Sequence, residues 1–177
     1  MKDWPHVRIE QYLNAVARPS PLWAAGSVAA MTCAEGWSLV EMVAGLAERH
    51  RPSDHLVRIL ERSRIARHQL VGLAAEDAEA FRRAAKSADP MLHYAATKVP
   101  LEVMKWADEG RGLVRATEEL LAYAPAAIDR AAADALFQAA MAITHDIIGA
   151  NWPALSPDAQ AAIRAELENL EQRGRHG

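Results

Sequence analysis

Asp77 stands where an apolar residue is the default. It belongs to the series Leu56, Ile59, Ser63, Ala66, Leu70, Leu73, Asp77, Ala80 and Ala84, whose spacing is that of one face of an α-helix. Every other member is apolar or small. A carboxylate on such a face leaves water when the helix packs, and a bare buried charge is costly. Burial favours the protonated form and lifts the pKa towards neutrality. A carboxyl tuned in that way can both take and give a proton near physiological pH. Asp77 is therefore a candidate general acid/base. The alternative is a structural carboxylate directed at a helix end or a water pocket.

Other groups carry weaker signals. Lys98 precedes Val99 and Pro100. Because proline has no N–H, Pro100 leaves the Ala96 carbonyl, one turn back, without its usual donor. An open carbonyl beside a lysine is a candidate ligand contact, and a packing bend is the alternative. His145 and Asp146 are adjacent on a helix, so their side chains point about 100° apart and do not form a catalytic pair. The histidines His6, His50, His55, His68, His93, His145 and His176 include no pair spaced like the helical zinc motif H-E-x-x-H. No metal is expected. Arg58, Arg62, Arg64, Arg67 and His68 form a basic stretch, but Glu61 interrupts it and no aromatic residues interleave. That pattern reads as a solvated or subunit-facing surface. A net charge of -3 and a pI near 6.2 also argue against nucleic acid as a partner. Neither a Walker A loop nor G-x-G-x-x-G occurs.

The elements that must position these groups are helical. The chain has 177 residues, 38 of them alanine, with only 2 Phe and 3 Tyr. Alanine is the best helix former and lets helices approach closely, yet each alanine buries little apolar area. Ile9, Tyr12, Leu13 and Val16 predict a short first helix, stopped by Arg18-Pro19-Ser20-Pro21. Gly26 to His50 predicts a second helix with small residues on two faces: Gly26, Ala30 and Ala34 on one, Ala29, Cys33 and Gly36 on the other. Such a helix is approached from both sides, and it is expected at the centre. Ser53 offers an N-cap to a third helix reaching about Ala85. A fourth is expected from Met91 to Tyr123, kinked at Pro100, and a fifth from Ala127 to Ala150. Ser156-Pro157 opens a last one, with residues 171–177 frayed. The expected fold is all-α: one domain over residues 1–177, an up-and-down-like bundle of five to six helices around an Ala/Gly-rich central helix. Its thin core predicts a homodimer or higher homo-oligomer. A lone Cys33, no apolar leader in MKDWPHVRIEQ and no stretch of the roughly 20 apolar residues a bilayer needs predict a cytoplasmic protein without a membrane partner.

Several segments, taken in order, resemble the cyclodeaminase/cyclohydrolase family, which comprises formiminotetrahydrofolate cyclodeaminase and methenyltetrahydrofolate cyclohydrolase. IEQYLNAVARPSP followed by GSVAAM is similar to its opening helix, turn and central helix. Asp77-Ala78-Glu79-Ala80-Phe81 is similar to its D-A-x-A-[FY] motif, and Val99-Pro100-Leu101-Glu102 to its V-P-L-E segment. Asp129 and Asn151 resemble the residues bracketing its late Ala-rich helix. The resemblance covers about residues 8 to 165. It implies a folate one-carbon enzyme acting on a small-molecule substrate, with tetrahydrofolate as carrier and no other cofactor. Asp77 would be the acid/base and Lys98 its catalytic companion, with Gly26, Ser27, Asp129 and Asn151 binding substrate.

The sequence also departs from that pattern. Where the family reads P-G-G-G-S, this chain reads Pro21-Leu22-Trp23-Ala24-Ala25-Gly26-Ser27. Ile147 and Gly149 stand where an Asn and an Arg are common. These departures open a second reading, in which Trp23 floors a remodelled pocket for another amidine, iminium or cyclic substrate. A third is a non-catalytic helical scaffold.

Overall fold

Proline and short polar side chains fix where the helices begin. The computed structural model describes residues 8–116 and 126–176. The Ser53 hydroxyl accepts the Leu56 N–H at 3.2 Å and opens α3 (Asp54–Ala84), satisfying a donor that has no partner inside the helix. Asp89 Oδ1 does the same for the Met91 N–H at 2.9 Å, at the start of α4 (Pro90–Ala116). Ser156 accepts from Ala159 at 3.3 Å and opens α6 (Pro157–His176), with Pro157 at its first position. The other helices are α1 (Ile9–Val16), α2 (Ala25–His50) and α5 (Ala127–Asn151), with 3-10 turns at Pro21–Trp23 and Trp152–Ala154. No strand occurs among the described residues.

α2 is the centre of the bundle and packs against α3, α4 and α5. Its small faces allow this: Gly26, Ala29, Ala30, Cys33, Ala34 and Gly36 are all buried. The Phe137 ring from α5 fills the space left by two glycines. A Cβ on Gly36 would lie 2.7 Å from that ring, and one on Gly110 of α4 closer still. Trp37 packs edge-on against Phe137, with centroids 5.7 Å apart, so the ring has little room to yield. Gly110→Ala is expected to cost about 1–3 kcal/mol of overpacking, offset in part by up to ~1 kcal/mol of helix propensity. Its melting temperature should fall by a few degrees. A melt unchanged from wild type would mean that Phe137 can shift aside.

The structure departs from the sequence reading along α3. Beyond Leu70 the buried face of α3 runs through Ala74 and Ala78, while Leu73, Asp77 and Ala80 are only half-buried. Each four-residue step turns the helix about 40° further, so the packed seam drifts and leaves Asp77 on its flank. α4 continues through Pro100, which is fully buried; the expected extension to Tyr123 lies outside the described residues. α6 runs to His176. Leu170 anchors it in a second apolar cluster with Leu101, Met104, Ile148, Leu155 and Ile163.

Candidate active site

Four helix ends meet around a cavity of about 320 Å³. The first residues of α2 supply one wall, with Ala24, Ala25 and Gly26. The late part of α3 supplies Asp77, Phe81 and Ala84. The start of α4 brings His93 and Ala96, and the end of α5 brings Ile147, Ala150 and Asn151. The walls are largely apolar, with few polar groups converging on them, as small-molecule sites commonly are.

Asp77 is held by the beginning of α2. The N-cap residue of that helix, Ala24, has no side chain able to cap it. The Ser27 backbone N–H instead donates to the Asp77 carboxylate, so a side chain from α3 satisfies an open donor of α2. The positive end of the helix dipole favours an anion at that position. Gly26 makes the approach possible: a Cβ there would overlap the carboxylate carbon and both its oxygens. Burial nonetheless dominates and pushes the Asp77 pKa up to about 6, with the Ser27 N–H opposing it. The carboxyl therefore titrates close to neutrality. Asp77 both caps a helix and faces a cavity.

The other candidates divide. Gly26 and Asn151 line the cavity with Asp77. Ser27 is fully buried behind it, its hydroxyl donating to the Ala24 carbonyl at 3.0 Å; its contribution to the site is the backbone N–H. Trp23 does not face the cavity. It is buried against Tyr12, edge-on with centroids 6.2 Å apart, and against Ala78, so it braces α3 from behind. Lys98 also lies elsewhere. Its Nζ is 3.0 Å from Glu166 Oε1 of α6, and the same carboxylate binds Lys105. Asp129 and Asn151 sit at opposite ends of α5, 22 positions or about 33 Å apart at 1.5 Å per residue. One cavity of one chain cannot hold both.

The site contains residues that sequence reasoning did not single out. Phe81 is one helical turn from Asp77, hence on the same face, a signal the sequence already held. His93 was only one scattered histidine among several. Its place follows from the short Ala85–Asp89 connection, which folds the first turn of α4 back against the last turns of α3. Ala96, one turn before Pro100, also lines the cavity.

Elsewhere the basic stretch of α3 is matched by acids. Arg62 binds both oxygens of Glu109 at 2.5 and 2.6 Å and stacks on Trp106, and Arg64 and Arg67 bind Glu41. Among the described residues no three His, Cys, Asp or Glu side chains converge as ion ligands, and no helix is long and apolar enough to cross a membrane.

The fold is shared with a crystal structure of formiminotetrahydrofolate cyclodeaminase from Thermotoga maritima. The TM-score is 0.87 at 24% sequence identity, over 94% of this chain and 89% of that one. No curated protein sequence matches the chain. The family model described as formiminotransferase-cyclodeaminase matches residues 8–169, and the chain belongs to that family.

Proposed function

We propose that the protein is a folate one-carbon enzyme of the cyclodeaminase or cyclohydrolase type, with Asp77 as its acid/base. The observation that carries this reading is a carboxyl with a pKa near 6 on the wall of a largely apolar cavity. Both reactions pass through a tetrahedral carbon between two nitrogens. Closing or opening the methenyl bridge requires a group that moves a proton at that carbon and walls that hold a flat ring. Phe81 and Ile147 supply apolar wall. The Asn151 amide can bond a ring heteroatom. The folate carries the carbon, so these residues need only bind, orient and move protons. At about 320 Å³ the cavity is at the small end for ligand sites and suits a bicyclic head group, with the rest of the molecule outside.

The test is to supply formimino- and methenyltetrahydrofolate and follow ammonia release and loss of the methenyl chromophore. A stable reduced folate is titrated in parallel against heat stability. Turnover of one of them, with a rising melting temperature on binding, is expected. Binding without turnover of either would favour a diverged amidine or iminium substrate, a reading that Ile147 in the cavity wall also supports. The proton-taking role requires an ionised Asp77, so kcat/KM should rise with pH through about 6. A rate independent of pH between about 5 and 7 would remove Asp77 from the chemical step.

Assembly into homodimers or larger multiples belongs to the same reading. Ile9 and Leu13 of α1 are 75% and 58% exposed, more apolar surface than so short a helix can leave open without a neighbour. Sedimentation at micromolar concentration should show no stable monomer.

A further inference from the structure

We infer that His93 is a second proton carrier in the cavity that Asp77 lines, acting at a different nitrogen of the reacting centre. The inference rests on the one-carbon reading above and adds to it a residue and a division of labour.

His93 enters the site from the first turn of α4, a different helix from Asp77. Its Nε2 is 2.9 Å from the Ser87 backbone carbonyl. A carbonyl can only accept, so Nε2 carries the hydrogen, and the neutral ring keeps its lone pair on Nδ1. The Ser87 carbonyl is itself well placed: the Ser87 N–H donates to Ala84 at 3.0 Å, and its hydroxyl accepts from the Asp89 N–H at 3.0 Å. The His93 carbonyl accepts from the fully buried Thr97 hydroxyl at 2.9 Å. The ring is thus oriented at one nitrogen and available at the other. This arrangement commonly fixes a working histidine.

The chemistry calls for two carriers. When an amine closes on a formimino carbon, an N–C bond forms and the attacking nitrogen gives up its proton. The C–N bond to the amino group then breaks, and that nitrogen takes the bonding pair and one proton and leaves as ammonia. The lone pair of the remaining nitrogen restores the amidinium. Ring opening by water also needs both carriers. Water loses one proton as it adds to the carbon and a second as the hydroxyl becomes the formyl carbonyl. The departing ring nitrogen takes the bonding pair and one proton, and the other proton goes to solvent. The two nitrogens lie on different sides of the carbon, so one carboxyl cannot serve both without moving. The Asp77 carboxylate takes the first proton, and protonated His93 gives the second from Nδ1. Return of one proton from Asp77 to His93 through water resets the pair. The ionisable group that lines the cavity with His93 is Asp77 on α3, and the His93 backbone N–H meets the Asp89 carbonyl at 3.4 Å. The α2 and α5 walls present Ala24, Ala25, Gly26, Ile147, Ala150 and Asn151, none of which titrates.

His93→Gln separates this role from a structural one. Its amide nitrogen can reach the Nε2 position and keep the bond to Ser87, but it offers no basic nitrogen. Expected are an unchanged melt, reduced-folate affinity within about threefold of wild type, and turnover lowered by about 10²–10⁴-fold. Turnover above half of wild type would overturn the inference. A second measurement needs no substrate. Imidazole nitrogen NMR should show neutral His93 as the Nε2–H tautomer, with Nδ1 bare. A neutral His93 carrying its hydrogen on Nδ1 instead would overturn the inference whatever the substrate. Wild-type protein inert to both folates would count against the folate reading, and the NMR result would then decide for or against His93 by itself.

Discussion

Asp77→Asn is expected to lower turnover by about 10²–10⁴-fold while leaving melting at neutral pH unchanged or higher. Asn matches Asp in size, and its Oδ1 can still accept the Ser27 N–H, so packing and the cap of α2 survive. Only the titrating proton is lost. The stability effect has a definite sign. Burial raises the folded-state pKa of Asp77 to about 6, against about 3.9 in the unfolded chain. Between those values the folded state binds more protons than the unfolded one, so the contribution of Asp77 to stability falls as pH rises through that window. Above pH 6 the ionised, partly desolvated carboxylate is a standing cost that Asn does not carry. The difference between variant and wild type should therefore grow in favour of Asn from about pH 4 to about pH 6 and then level. Melts across that range, paired with turnover, decide the matter. A variant that keeps its turnover but melts lower at pH 8 would show Asp77 to be a helix cap and nothing more. Lost activity with retained or gained stability is the signature of a residue kept for chemistry.

The helices were legible because their punctuation is local. Ser53, Asp89-Pro90 and Ser156-Pro157 each act within a few residues, and the helices they open begin at or beside the expected positions. The centrality of α2 was legible too, since glycine and alanine on two faces exclude an exposed position. Asp77 was visible as an exception to a periodic pattern. What the sequence did not show is which ends converge. Lys98 follows Ala96 by two residues, about 200° around the helix. Once Ala96 faces the cavity, Lys98 must point away, and it reaches Glu166 instead. Nothing local says which of the two turns inward. Trp23 was harder still. Its size predicts burial, and it is 8% exposed, but whether it covers the cavity or Tyr12 depends on the path of the Pro21–Trp23 turn. His93 carried no periodic signal at all, because its role follows from a tertiary fold-back of α4 on α3.

Gly26→Ala should disable the site almost as thoroughly as removing the carboxylate, and by a purely steric route. The new methyl carbon would occupy the space of the Asp77 carboxyl carbon and oxygens. No rotation of the methyl relieves that overlap, since Cβ is fixed by the α2 backbone. The Asp77 side chain is the only partner able to move, and it must swing out of the cavity and off the Ser27 N–H. The energetic balance of the fold is nearly even. Losing the cap costs about 1 kcal/mol, and replacing glycine by alanine in a helix returns about as much. Stability should stay within about 1 kcal/mol of wild type while turnover falls by two orders of magnitude or more. Outside the cavity the carboxyl regains water, so any residual activity should lose the pH midpoint near 6. Comparison with Asp77→Asn makes the result specific. If the carboxylate is what Gly26 serves, the double variant should be no slower than either single one, a non-additivity expected of residues acting as one unit. Full additivity would mean that Gly26 contributes independently, through backbone contact with the ligand itself. A Gly26→Ala enzyme with wild-type turnover and an unshifted pH profile would place the working carboxylate somewhere other than the wall of this cavity.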